Sequence, residues 1–203
     1  PSLTGTVTLG GSSVTVSSLD IATSGSTGLT DDQAGAITGI TVQNNVTVSA
    51  TNAAAVVLSS VTASASGITF TSLTSTNSGG KGVDLSSIGG SFASTTTTVT
   101  NPAGVGIDVQ TSVAGGSINL GSTTSNASGG TGVNLATNAG NVTFGAFSVA
   151  PDANQRGLLA TENSGTLTIA SGTVTTTGNT AVEVTKTSGA TPLAVTLTAV
   201  SAN

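Results

Sequence analysis

Apolar residues recur along the chain in short alternating runs, not at helical intervals. Four runs share one form, a Gly or Ala followed by apolar, polar and apolar residues. They are Gly82-Val83-Asp84-Leu85, Gly106-Ile107-Asp108-Val109, Gly132-Val133-Asn134-Leu135 and Ala181-Val182-Glu183-Val184. Related runs start at Gly28, Ala55 and Gly157, so successive starts are 27, 27, 24, 26, 25 and 24 residues apart. The segment before Gly28 supplies one more unit, eight in all. A second alternating run follows in each unit, among them Val14-Thr15-Val16, Ile40-Thr41-Val42, Ile68-Thr69-Phe70 and Val142-Thr143-Phe144, with Ser91-Phe92 a looser copy. A third run follows that, such as Val46-Thr47-Val48 and Thr98-Val99-Thr100. Breakers such as Asn77-Ser78-Gly79-Gly80 and Asn101-Pro102-Ala103-Gly104 close the unit.

Alternation with period two puts the apolar residue of each pair on one face of a strand and the polar one on the other. Three such strands per unit predict one triangular coil. A single coil cannot bury its apolar side, but stacked coils share a continuous core. The sequence therefore predicts an all-β, right-handed parallel β-helix over residues 1–203, a single solenoid domain. It has about eight coils of 24–27 residues and three short strands per coil. One inward column should run Val83, Ile107, Val133, Leu158, Val182. A β-sandwich would not repeat one three-strand pattern at a near-constant interval, and a propeller blade needs about 40 residues or more.

Composition sharpens this picture. Thr and Val suit a pleated sheet, and Gly, Asn and Ser suit turns. Only 5% of residues are charged, against about 25% in an ordinary domain. Yet 36% are hydrophobic and the net charge is only -5, which excludes a disordered polar tract. Zero Cys removes disulfides and thiolate metal sites. Three cations in an acidic chain argue against nucleic acid, and no apolar run is long enough to predict membrane insertion. The last residues, Val195 to Asn203, lead toward a first strand that does not follow. The expectation is a fragment of a longer solenoid, or a subunit that stacks end to end.

On the Gly-Val-Asx-Leu openings, the Val-Thr-Phe second strand and the Asn-Pro and Asn-Gly-type turns, the chain resembles the β-strand-repeat regions of large bacterial secreted and surface exoproteins. Autotransporter passengers and filamentous adhesins are examples. The resemblance covers nearly the whole chain and implies an exported stalk or presenting surface.

Four places carry candidate chemistry. Asp84, Asp108 and Asn134 should stack outward in neighbouring coils, where Ca²⁺ could relieve the repulsion of stacked carboxylates. The plainer reading is a solvated acidic stripe, because Leu159 interrupts the row and no calcium-binding nonapeptide is present. On strand two, Thr15, Thr41, Thr69, Ser91, Asn119, Thr143 and Thr168 form a candidate surface-binding row. Stacked Thr is the device of ice-binding solenoids, but outward Thr is also ordinary sheet surface. Asp152, Arg156 and Glu162 are the one mixed-charge cluster that the sequence suggests. Catalysis on a β-helix, as in pectin-degrading enzymes, needs clustered carboxylates. Asp31-Asp32 should face opposite ways, and with no His or Cys a nucleophile has no activator. Finally, the turn Pro151 to Arg156 departs from the Gly/Ser turns elsewhere, and Lys81 and Arg156 hold equivalent places before a first-strand Gly.

The reading is a structural or adhesive module, extracellular or at the cell surface, with no cofactor and no catalytic activity. Its expected partners are further coils, copies of itself, or a host or environmental surface. Ice binding or glycan binding is the alternative, and a polysaccharide-degrading enzyme the next.

Overall fold

A computed structural model of the protein describes residues 1–32 and 35–203. Among them are strands, turns and bends but no helix, and so no helix long and apolar enough to cross a membrane. All strand pairing is parallel and links each coil to the next. The first strands of the eight coils form one sheet: Val7–Leu9, Leu29–Asp31, Val56–Ser59, Val83–Ser86, Ile107–Gln110, Val133–Ala136, Leu158–Thr161 and Val182–Thr185. They lie side by side in chain order. The chain is thus a parallel β-solenoid of eight turns.

Second and third strands share a 12-stranded sheet. In five coils they run together without a break, as Ile37–Thr51, Val61–Thr76, Ser91–Thr100, Asn141–Ala150 and Leu167–Thr176. The three strands expected per coil thus become two where the corner is only a bend. Elsewhere they stay apart, as Thr15–Ser17 and Asp20–Ser24, Ser117–Asn119 and Ser122–Asn126, or Leu193–Val195 and Ala199–Ala202. Ser2–Thr4 pairs with Asp20–Ser24 as a third strand ahead of the first coil.

The expected aliphatic column is present. Val83, Ile107, Val133, Leu158 and Val182 are directly paired, and the first four are buried. A second column runs Val42, Ile68, Phe92, Ile118, Val142, Leu167. Phe92 is therefore a full member of strand two, opposite Ile68, and the residue level with Thr69 is Ala93, not Ser91. The Phe92 ring tilts against Phe70, with centroids 5.7 Å apart.

Two sequence rules explain how most of the coils turn. After strand one, Ser60, Ser87, Thr111, Thr137 and Glu162 each take a left-handed conformation, φ 53 to 59°. After strand three, Asn52, Asn77, Asn101 and Ala127 do the same, φ 50 to 59°. One left-handed residue bends the chain sharply, and Asn tolerates that region best among side-chain-bearing residues. The strain at a β-branched Thr, of order 1–2 kcal/mol, is opposed by hydrogen bonding that continues round the corner. Thr111 N donates to Ala136 O at 2.9 Å and Thr137 N to Thr161 O at 2.8 Å. Pro151 falls where the next left-handed residue is due, cannot adopt it and has no N–H to give. The coil there makes a longer turn instead, closed by Gln155 N to Asp152 O and by Asn154 at φ 65°.

The glycines before strand one have a different cause. A Cβ on Gly132 would overlap Val149 Cγ1 and come within 2.9 Å of Gly157 O. Gly82 and Gly157 face Val99 and Val174 in the same way. The core is narrow here, and the glycine lets strand one close onto the third-strand valine. Gly132→Val should cost about 3 kcal/mol by overpacking, read as a lower midpoint in urea unfolding.

Candidate functional site

The outward column of the first sheet runs Val57, Asp84, Asp108, Asn134, Leu159, Glu183. The sequence places the acidic residues here correctly, but they do not form a solvated stripe. The Asp108 side chain is only 2% exposed. Its carboxylate accepts from Lys81 Nζ, from Gln110 Nε2 at 2.7 Å and from Asn134 Nδ2 at 2.8 Å. Lys81 also bonds both oxygens of Asp84 at 2.9 Å. An ammonium thus bridges the two carboxylates, in the place where the sequence suggested Ca²⁺. No group of three or more His, Cys, Asp or Glu that could hold a metal occurs among the described residues.

Lys81 and Arg156 do share one device. Each precedes a first-strand Gly and reaches the acidic residue 27 positions on, in the next coil: Lys81 to Asp108 and Arg156 to Glu183, the latter at 2.8 Å. The suggested cluster of Asp152, Arg156 and Glu162 does not form. Arg156 pairs with Glu183, while Glu162 Oε1 accepts from Thr187 N at 2.8 Å and Thr187 Oγ1 at 2.7 Å. Those two bonds hold the Glu162 carboxyl below its usual range. Among the described residues, Lys81, Asp84 and Asp108 form a mixed-charge cluster, and its charges join neighbouring coils. Asp31 and Asp32 face opposite ways as expected, Asp31 buried and Asp32 exposed.

Burial works against the Lys81 ammonium, but the hydrogen bonds and charges of Asp108 and Asp84 outweigh it and raise its pKa above the ordinary 10.5. A pKa raised on folding stabilises below the unfolded value, and that contribution disappears as pH rises through the folded value. The chain has no Tyr, so the raised Lys81 ammonium carries this dependence. The melting temperature should hold to about pH 10 and fall above it. In Lys81→Met the alkaline fall should be much smaller.

The candidate row on strand two is split. Thr15 pairs with Thr41, and a second run pairs Thr69, Ala93, Asn119, Thr143 and Thr168. The two are out of step because Thr41 precedes its core residue Val42, whereas Thr69 follows Ile68, and Val42 pairs with Ile68. Bulges between Ile37–Thr51 and Val61–Thr76 absorb extra residues on each side, including Asn44 and Asn45 at φ 59 and 63°. Thr41 is consequently buried and shares a 2.6 Å hydrogen bond with Ser64.

Thr69, Ala93, Asn119 and Thr143 instead line one wall of a shallow groove of about 470 Å³ along the bend between strands two and three. Gly121 and Gly145 also line it. A Cβ on Gly121, at φ 54°, would collide with Thr95 O and Ser94 O.

Family profiles, curated proteins and solved structures were all compared, and none matches the chain.

Two features lie outside the sequence reading. At the corner after strand one, Ser112, Asn138 and Asn163 stack as a buried ladder. Asn138 Oδ1 accepts from Ser112 N at 3.0 Å, and Asn163 Oδ1 accepts from Asn138 N at 2.9 Å. Each Nδ2 caps a strand carbonyl, Val109 O and Leu135 O, at 2.9 Å. The 25-residue spacing of two Asn-x-Gly triplets, Asn138 and Asn163, is the signal for it. The broadest array of outward hydroxyls lies on strand three: Ser49, Thr74, Thr98, Thr124, Ser148 and Thr173 are paired in one unbroken row.

Proposed function

We propose that the chain is a non-catalytic structural and adhesive module of a secreted or cell-surface repeat protein, a stalk, fibre segment or presenting surface. The observation that carries this reading is parallel pairing that continues through all eight coils, corners included. Such a column is rigid along its axis and repeats each outward face every ~4.8 Å. The buried Asp108 and its partners serve coil-to-coil cohesion, which is a structural use of charge.

The partners in this reading are more coils of a longer chain or further copies stacked end to end, together with a host or environmental surface. Leu193, Val195 and Val200 are 51, 36 and 55% exposed because the core columns of Leu167, Ile169 and Val174 run out into the last coil. Leu3 is 38% exposed at the other end, paired to Ile21. A further parallel layer would bury both sets. The net charge of -5 gives a nucleic-acid backbone nothing to attract it.

The groove supports glycan binding as a second reading: it is concave, uncharged and lined by Thr69, Asn119 and Thr143, whose side chains carry hydrogen-bonding groups. Electron microscopy across a concentration series, with light scattering, tests the principal reading. Rods growing in steps of roughly 40 Å, the length of eight coils, are expected. Compact single particles at every concentration, or turnover of polygalacturonate, would contradict it.

A further inference from the structure

We propose that the outward face of the third strands binds ice, with the hydroxyl rows of that face matching an ordered water lattice. The inference rests on reading the chain as a non-catalytic presenting surface and names what that surface meets.

The face is a two-dimensional array. Its central row is Ser49, Thr74, Thr98, Thr124, Ser148, Thr173. Two residues to one side runs Thr47, Ser72, Thr96, Ser122, and two residues to the other runs Thr51, Thr76, Thr100. Neighbours within a row are ~4.8 Å apart and neighbours between rows roughly 6.7 Å apart, from strand spacing and rise. The spacing within a row is close to the shorter repeat of an ice prism face, and the spacing between rows falls somewhat short of the longer one. The registers here have no bulge beyond Thr47, unlike the strand-two part of the pair Ile37–Thr51 and Val61–Thr76. No charged residue interrupts the central row.

The chemistry also suits ordered water. A Thr presents a hydroxyl that can donate and accept, beside a methyl that fills a gap in a water cage. Its β-branched side chain is stiff at χ1, so holding it against a lattice loses little freedom. The sheet beneath is held by buried hydroxyls that bond inward. Ser75 Oγ donates to Ala53 O, Thr123 Oγ1 to Leu120 O and Ser125 Oγ to Gly132 O, each at 2.9 Å. A soluble saccharide would instead seek convergent groups in a concave site, which is the groove and not this face.

The test is ice shaping and thermal hysteresis with the 203-residue chain, beside Thr98→Tyr at the centre of the array and Thr161→Tyr on the first sheet. Wild type and Thr161→Tyr should facet growing ice crystals to the same degree. Thr98→Tyr should lose at least tenfold in activity while its circular dichroism and melting temperature stay unchanged. Should Thr98→Tyr unfold, Ser148→Tyr, an exposed site in the same row, takes its place. Absence of shaping by folded wild type, or full activity in the array variants, overturns the proposal. Rods in the microscope without ice shaping would sink this inference and leave the scaffold reading standing.

Discussion

Phe92→Ala should lower the unfolding free energy by about 3–5 kcal/mol, the largest loss expected from a single truncation. The ring is fully buried, in a column between Ile68 and Ile118 and against Phe70. Parallel stacking fixes what lies above and below, so the coils cannot slide to fill the gap without breaking register. Removing the ring therefore combines lost apolar burial with a retained cavity. Phe92→Leu, which restores the aliphatic character of the rest of the column, should lose clearly less. Urea unfolding of the three proteins checks the order. Equal midpoints for Phe92→Ala and wild type would show that Phe92 does not sit in the core.

Lys81→Met should cost about 3 kcal/mol, because it leaves a buried carboxylate without its counter-charge. Asp108 keeps only the neutral donors Gln110 and Asn134 in that variant. The loss belongs to the stranded charge and not to the pair as such. Adding Asp108→Leu should therefore recover most of it, since replacing both members of a buried pair by apolar groups is often neutral. The fold already contains that solution: Leu159 holds the same place in the outward column two coils further on. A double variant less stable than Lys81→Met alone would show that Asp108 has a further role.

The period, the first strands and the inward columns were readable from the sequence because every coil repeats Gly, apolar, polar, apolar at the same point. Backbone pairing then carries each copy onto the next. The candidate row on strand two was not readable, and the reason is local. Residues 40–46 and 63–70 differ in the number of residues between matching core positions. The resulting two-residue offset moves Thr41 out of the row that contains Thr69 and leaves it buried between Ile40 and Val42. Matching Phe92 to Phe70 sets Ser91 level with Thr69, whereas the fold sets Phe92 opposite Ile68 and Ala93 opposite Thr69.

The ionic pairs were hidden for another reason. Lys81 and Asp108 are 27 residues apart, and only the coil length together with the outward direction of strand one brings them within reach. The turn Pro151 to Arg156 was legible as unusual, and its cause is the single Pro at a corner that needs a left-handed residue. The hydroxyl array on strand three was not legible in the sequence, because its rows are regular only once the coils are aligned by the structure, not by the sequence runs.

The most direct measurement is the distance between spin labels placed up one outward column of the first sheet. Ser59, Ser86, Gln110, Ala136, Thr161 and Thr185 are successive partners there, and the chain has no Cys to interfere. Ser59→Cys would be combined in turn with Ala136→Cys, Thr161→Cys and Thr185→Cys. Three, four and five steps of ~4.8 Å predict backbone separations of roughly 14, 19 and 24 Å. An even increase of one strand spacing per coil is the result that a stacked parallel solenoid requires. Distances that fail to grow with coil number, or that shorten between the later pairs, would mean that the chain folds back on itself and that no such solenoid exists.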